Sequence, residues 1–197
     1  MVLIKIWGGT VVKKTWLIVL AVVVLLVIMA SSGYNNLVTL NESVDGKWSQ
    51  VENNLQRRAD LIPNLVATVQ GYASHEEGIM NNIADARSRL VGAGSIADKA
   101  AANEELSSAL SRLLVVVENY PNLKADANFR QLQDDLAGTE NRIAVARKDY
   151  NDAVQVYNAK IKSFPTVIYA NMLGFGSRDY FKADEAAKDV PKVDFNK

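Results

Sequence analysis

The sequence has no cysteine, one histidine, four prolines in 197 residues and no excess of either charge. Without cysteine there can be no disulfide, thiolate nucleophile, iron–sulfur cluster or cysteine-rich zinc site. That absence leaves the redox compartment open. The 22 basic and 22 acidic side chains cancel, so no global field draws in an acidic substrate, and nucleic acid is not expected as a partner. His75 is followed by Glu76 and Glu77, but a metalloprotease motif needs a second histidine where Ile79 stands. It reads as a solvated surface residue. No Gly-x-Ser-x-Gly turn is available to present a nucleophile. Gly92 and Gly94 lack the lysine of a phosphate loop, and Gly174 and Gly176 lack a third glycine. The carboxylates Asp134 with Asp135, and Asp149 with Asp152, fall on the outer side of a helical pattern, where solvated charge is expected. The chain therefore reads as a non-enzyme with no catalytic, cofactor-binding or metal-binding residues.

Charge is also missing over one long interval, because nothing ionisable lies between Lys14 and Glu42 except Tyr34. Inside it, residues 16–30 read WLIVLAVVVLLVIMA. A helix of about 20 such residues spans a bilayer core, whereas a helix apolar on every face suits the core of a small domain poorly. The expectation is a short basic tail over 1–14 and a transmembrane helix over 15–33, with Trp16, Leu17, Leu20, Val24, Leu25 and Ile28 in the span. Ala30 and Ser32 resemble a signal peptidase site. Retention is favoured over cleavage by the length of the apolar run and by the helical pattern that resumes after Gly33. Lys13 and Lys14 abut one side of the span only, which places the body outside the cytoplasm. Past the span, 19 basic residues face 22 acidic ones once Lys5, Lys13 and Lys14 are set aside.

Beyond Gly33, apolar residues recur three or four apart at Leu37, Leu40, Val44, Trp48, Val51, Leu55, Ala59, Ile62, Val66, Val69 and Ala73. This is helical spacing held for ten turns. Pro63 removes a backbone donor, so a bend is expected near Asp60–Pro63, with the helix running on to about Leu90. Gly92 and Gly94 supply the first turn. A second helix starts near Asp98 or Asn103, carries Leu106, Leu110, Leu113, Leu114 and Val117, and ends ahead of Pro121. A third, from about Asp126 to Phe164, shows a heptad seam through Phe129, Leu132, Leu136, Thr139, Ile143, Ala146, Tyr150, Ala153 and Tyr157. At 1.5 Å per residue it is about 58 Å long. A stripe that long needs a partner helix of similar length, which only the first provides. The fold class is all-α: an N-terminal transmembrane helix, then an elongated antiparallel helical bundle over 34–165 with long coiled-coil-like helices. An aromatic, glycine-containing segment and polar tail over 166–197 pack on the bundle.

Two places stand out as candidate recognition surfaces. One is the polar cluster Gln56, Arg57, Arg58 and Asp60 beside Pro63. Its structural role would be to bring an arginine to the carbonyls freed by the bend, and its functional alternative is a contact patch. The other is the segment of Tyr169, Phe175, Tyr180 and Phe181. These aromatics either fold back onto the bundle or contact a partner or membrane.

The stretch WSQVENNLQRRADLIPNLVATVQGYASHE from Trp48 resembles the signature region of the LemA family of bacterial membrane proteins. ENYPNLKADANFRQLQDDLAGTENRIAVARKDYNDAVQVYN from Glu118, FPTVIYANMLGF from Phe164 and PKVDF from Pro191 look like that family's later blocks in the same order. The resemblance covers nearly all of 34–195. It implies an N-terminal transmembrane helix, a helical body and no established enzyme activity, so it carries over no catalytic residues. Gly46 departs from what a helix would favour. The expected function is a non-enzymatic scaffold in the bacterial cytoplasmic (inner) membrane, its body on the periplasmic side. Its expected partners are the lipid bilayer and further copies of itself. The alternative is an adaptor or regulatory subunit serving an unidentified membrane enzyme or transporter.

Overall fold

The computed structural model describes residues 8–73 and 75–182, without the side chains of residues 8–15, 26, 29 and 30. The start of the basic tail and the polar tail beyond Lys182 thus lie outside the described residues. Every regular element among those described is helical. The elements are α1 (Gly8–Gln70), α2 (Glu77–Gly92), α3 (Ile96–Val117), α4 (Pro121–Ala125), α5 (Ala127–Lys162), α6 (Thr166–Tyr169) and a 3₁₀ turn, Asn171–Leu173. Within the described residues they form two compact units, one of 8–42 with 157–177 and the other of 43–156 with 178–182.

The larger unit is a four-helix bundle. Lys47 and Trp48 of α1 meet Asp149 and Tyr150 of α5, while Arg58 meets Glu140, so these helices run antiparallel. Glu52 and Arg58 meet Lys99 and Asn103, so α3 runs parallel to α1. The sequence periodicity explains what is buried. Val44, Val51, Leu55, Ala59, Ile62, Leu65 and Val69 turn inward from α1. They pack with Met80, Ile83, Ala86 and Leu90 of α2, Leu106, Leu113 and Val117 of α3, and Phe129, Ile143, Tyr150 and Val154 of α5. The expected third-helix seam holds at Phe129, Thr139, Ile143, Ala146, Tyr150 and Tyr157. Leu132, Leu136 and Ala153 are half-buried, and the stripe shifts to Val154 and Ile161. This drift is what a straight 3.6-residue helix does to a 3.5-residue repeat.

The expected first helix is too long, since α1 stops at Gln70 and the chain reverses before α2. Tyr72 N and Ala73 N both bond to Val69 O, closing the last turn just past Gly71. The apolar spacing survives the break because α2 presents its own inward face three or four residues apart. Two tyrosine–carboxylate bonds fix the reversal: Tyr72 Oη donates to Asp126 Oδ2 at 3.0 Å, and Tyr120 Oη to Glu76 Oε1 at 2.9 Å. Gly92 ends α2 and Gly94 lies in the next turn, after which Ser95 caps α3 by accepting from Asp98 N at 3.0 Å.

Asp126 also caps α5, its Oδ1 accepting from Phe129 N at 2.9 Å. That backbone bond, then the Tyr72 hydroxyl, holds its carboxyl below the ordinary value of 3.8. A depressed carboxyl adds stability above its unfolded pKa and loses it as pH falls through the folded one. Urea titrations between pH 5 and pH 2 should therefore show a loss of stability at the acid end that is smaller in Asp126→Asn. Parallel losses in the two proteins would remove Asp126 from that role.

Pro63 sits inside α1 without ending it. Having no N–H, it leaves the carbonyl four residues back, Ala59 O, without its helical donor. Arg87 of α2 fills the gap, its Nε donating to Ala59 O at 2.8 Å. An arginine does reach the freed carbonyl, but from α2 rather than from the Arg57–Arg58 pair. Arg87→Ala should cost about 1–2 kcal/mol, the usual penalty for a part-buried acceptor left unpaired. Pro63→Ala restores a helical donor, so the double variant should lose much less than the two single effects imply. A double-mutant cycle in urea checks this, and strict additivity would contradict it.

In the smaller unit, Leu37, Tyr157, Ile161, Thr166 and Ala170 are buried. After α6 the chain turns through Asn171–Leu173 to Gly174, whose φ of 83° ends the helical run. Gly174 N bonds to Asn171 O and Phe175 N to Ala170 O, a closure that glycine adopts without steric cost. In the same unit α1 exposes Trp16, Leu17, Leu20, Val24, Leu25 and Ile28 to between 49 and 71%. Among the described residues, no helix is long and apolar enough to cross a membrane. The side chains of Leu26, Met29 and Ala30 are not among them.

Candidate functional site

The polar cluster at Pro63 is split by helical geometry. Gln56 and Asp60 stay outside and bond to each other, Nε2 to Oδ1 at 2.8 Å, and Arg57 and Pro63 are exposed. Arg58 alone turns inward and is 4% exposed. Its Nη1 donates to Asn103 Oδ1 at 2.7 Å and stands 2.6 Å from Glu140 Oε2. The latter is an ion pair by distance but not an aligned hydrogen bond, since Glu140 Oε2 and Arg58 Nε have no hydrogen-bond partner among the described residues. Burial pushes the guanidinium's pKa down, opposed by Glu140 and then by Glu104. An arginine remains charged under such a shift at neutral pH. Arg58 also lies against a groove of about 550 Å³, lined mainly by apolar side chains such as Leu65, Leu110, Leu114, Phe129 and Leu136. The arrangement orients three helices around one cation.

The aromatic segment divides too. Phe181 is 2% exposed and packs in the larger unit, its ring 6.1 Å from that of Trp48 and 4.7 Å from the Arg147 guanidinium. Asn151 clamps its backbone in both directions, accepting from Phe181 N at 2.9 Å and donating to Phe181 O at 3.0 Å. Nearby, Arg178 grips both oxygens of Asp45 at 2.8 and 2.9 Å. Tyr150 Oη donates to Asp179 O at 2.7 Å. Tyr180 is 39% exposed. In the smaller unit, Phe175 meets Tyr34 edge to face at 5.7 Å. Tyr169 closes on Gly33 so tightly that a Cβ there would overlap its hydroxyl.

Asn103, Glu140, Arg87 and Asn151 all serve these arrangements, and none of them stood out in the sequence as a candidate site residue. For Arg87 alone there was a usable signal, the missing donor at Pro63. The other candidates are ordinary surface groups. His75 is exposed, Asp149 pairs with Lys47 at 3.0 Å, and Asp152 pairs with Lys148 at 2.7 Å. Asp135 accepts from Gln131 at 3.3 Å. Among the described residues, no three histidine or carboxylate side chains are grouped to hold a metal ion.

Comparison with known proteins adds the family. The chain is 31% identical to "Magnetosome protein MamQ 2" of Paramagnetospirillum magneticum over 81% of its own length and 68% of that protein. To "Magnetosome protein MamQ" of Magnetospirillum gryphiswaldense it is 28% identical over the same shares. To "Protein LemA" of Metamycoplasma hominis it is 25% identical over 77% of this chain and 69% of that one. The family model matched by residues 47–195 covers α2 to α6, the Arg58 arrangement and Phe181 with Trp48, Arg147 and Asn151, and by that match the chain belongs to the LemA family.

Proposed function

We propose that this protein is a membrane-anchored, non-enzymatic helical scaffold that self-associates or organises partners at the bacterial envelope, its body outside the cytoplasm. One observation carries the reading. The same α1 that buries a stripe from Val44 to Val69 leaves Trp16, Leu17, Ile18, Leu20, Val24, Leu25 and Ile28 about half exposed or more. Soluble proteins rarely expose contiguous apolar patches beyond a few hundred Å². At about 1.5–3 kcal/mol per fully buried aliphatic side chain, Leu17, Leu20, Val24, Leu25 and Ile28 alone are worth on the order of 10 kcal/mol to whatever covers them. A bilayer is the cover that a helix apolar on all sides fits. The Arg58 centre and the Phe181 clamp support the non-enzymatic part, because both hold helices together.

Alkaline extraction of cell membranes tests the anchor. The native chain should stay in the pellet, and Val23→Arg with Val24→Arg should release it, since each arginine at the centre of a span costs about 2.5–3.5 kcal/mol. Release of the native chain would refute the anchor. The adaptor reading is favoured by the uncovered apolar groove beside Arg58. Gentle crosslinking separates the two: self-contacts for a scaffold, a stoichiometric foreign protein for an adaptor.

A further inference from the structure

We propose that Phe164–Leu173 is a second membrane contact, an apolar segment lying in the headgroup layer beside the point where α1 leaves the bilayer. This rests on the anchor proposed above. Phe164, Ile168, Met172 and Leu173 are 82, 63, 84 and 50% exposed. They come from a stretch, residues 163–177, without a single acidic or basic side chain. Lys160 and Lys162 stand directly before it in the last turn of α5. An apolar surface flanked by lysines is the composition that settles at an anionic headgroup layer.

Position singles out the bilayer as the occupant. Tyr169 closes on Gly33, and Phe175 meets Tyr34 at 5.7 Å, so the segment is pinned to the turn of α1 that follows the apolar run ending at Ala30. Four residues of helix rise about 6 Å. A bilayer has a core of about 30 Å within a total of about 40–45 Å, which leaves a polar layer of about 5–8 Å on each side. The segment therefore sits at the depth of that layer, and its exposed residues have lipid within reach. Tyr34 and Tyr169 are the residue type enriched at this level. A second attachment would fix how α1 leaves the membrane.

The absence of cysteine makes the test direct. Spin labels are attached to single-cysteine variants of the full chain, Val24→Cys, Ile168→Cys, Met172→Cys and Glu77→Cys, in vesicles containing anionic lipid. Collisions with oxygen, which concentrates in lipid, are compared with collisions with a water-soluble nickel chelate. The expected result is an oxygen-to-nickel ratio several-fold higher at 24, 168 and 172 than at 77. A lipid signal at 24 with water-like ratios at 168 and 172 overturns this inference and leaves the anchor standing. Shielding of 168 and 172 from both agents means a protein contact, which also overturns it. A water-like ratio at 24 removes the anchor and this inference with it.

Discussion

Phe181→Ala should destabilise the bundle by about 3 kcal/mol, the largest loss expected from any single truncation outside the helices. Phenylalanine truncations in cores cost about 3–5 kcal/mol from lost transfer energy and the cavity left behind. The contact of Phe181 with the Arg147 guanidinium adds about 0.5–1 kcal/mol. The lower end applies because Phe181 lies outside the helices, so its segment can lift away and let water in rather than leave an empty cavity. The loss should also appear locally. Trp48 rests against Phe181 and Tyr150, so in a background of Trp7→Phe and Trp16→Phe its emission should shift to the red. An unchanged spectrum with a loss under about 1 kcal/mol would show that the segment is an ornament on the bundle. Asn151→Ala, which keeps the ring and removes the backbone clamp, should give a smaller loss in the same direction.

Arg58→Ala should cost about 2–3 kcal/mol. Breaking a buried ion pair by deleting one partner usually costs about 3–5 kcal/mol, because the other charge stays behind. Here Glu140 is 44% exposed on its side chain and can turn toward water, which argues for the smaller figure. Asn103, 1% exposed, has no such escape. Replacing all three together, Arg58→Met with Glu140→Leu and Asn103→Leu, should recover most of the loss, since apolar substitutes for buried ion pairs are often neutral or better. Urea midpoints of the three proteins decide it. If the triple variant is as unstable as Arg58→Ala, the polar cluster contributes net stability. If it is stable but its helices pack in more than one way, the cation's role is to specify which of α1, α3 and α5 meet at that level.

The Arg58 result bears on what the sequence could disclose. Helical period alone was enough to identify the all-α class, the extent of α5 to within two residues at each end, and most of the buried stripe, because those depend on neighbours three or four positions apart. The break at Gln70 was hidden because α2 repeats the same spacing. Period reports which face is apolar, not whether the chain continues straight or doubles back. The Pro63 cluster was legible as a place of unmet backbone bonding, yet Arg87 lies 28 residues from the carbonyl it serves and Glu140 still farther from Arg58. Partners across a bundle leave no local mark. Gly46, which looked like a soft point, meets nothing within 4 Å where a Cβ would be, so no close packing requires it. Phe181 and Tyr180 were indistinguishable as neighbours, although only the first is inside. Only the backbone clamp from Asn151 to Phe181, 30 residues away, decides which of the two turns inward.

Imaging the full-length protein purified with its surrounding lipid tests the central claim most directly, because it reports anchoring and assembly together. The account predicts multi-copy particles whose helical bodies project from a lipid layer on one side. Single copies that stay free of lipid across a wide concentration range would contradict it.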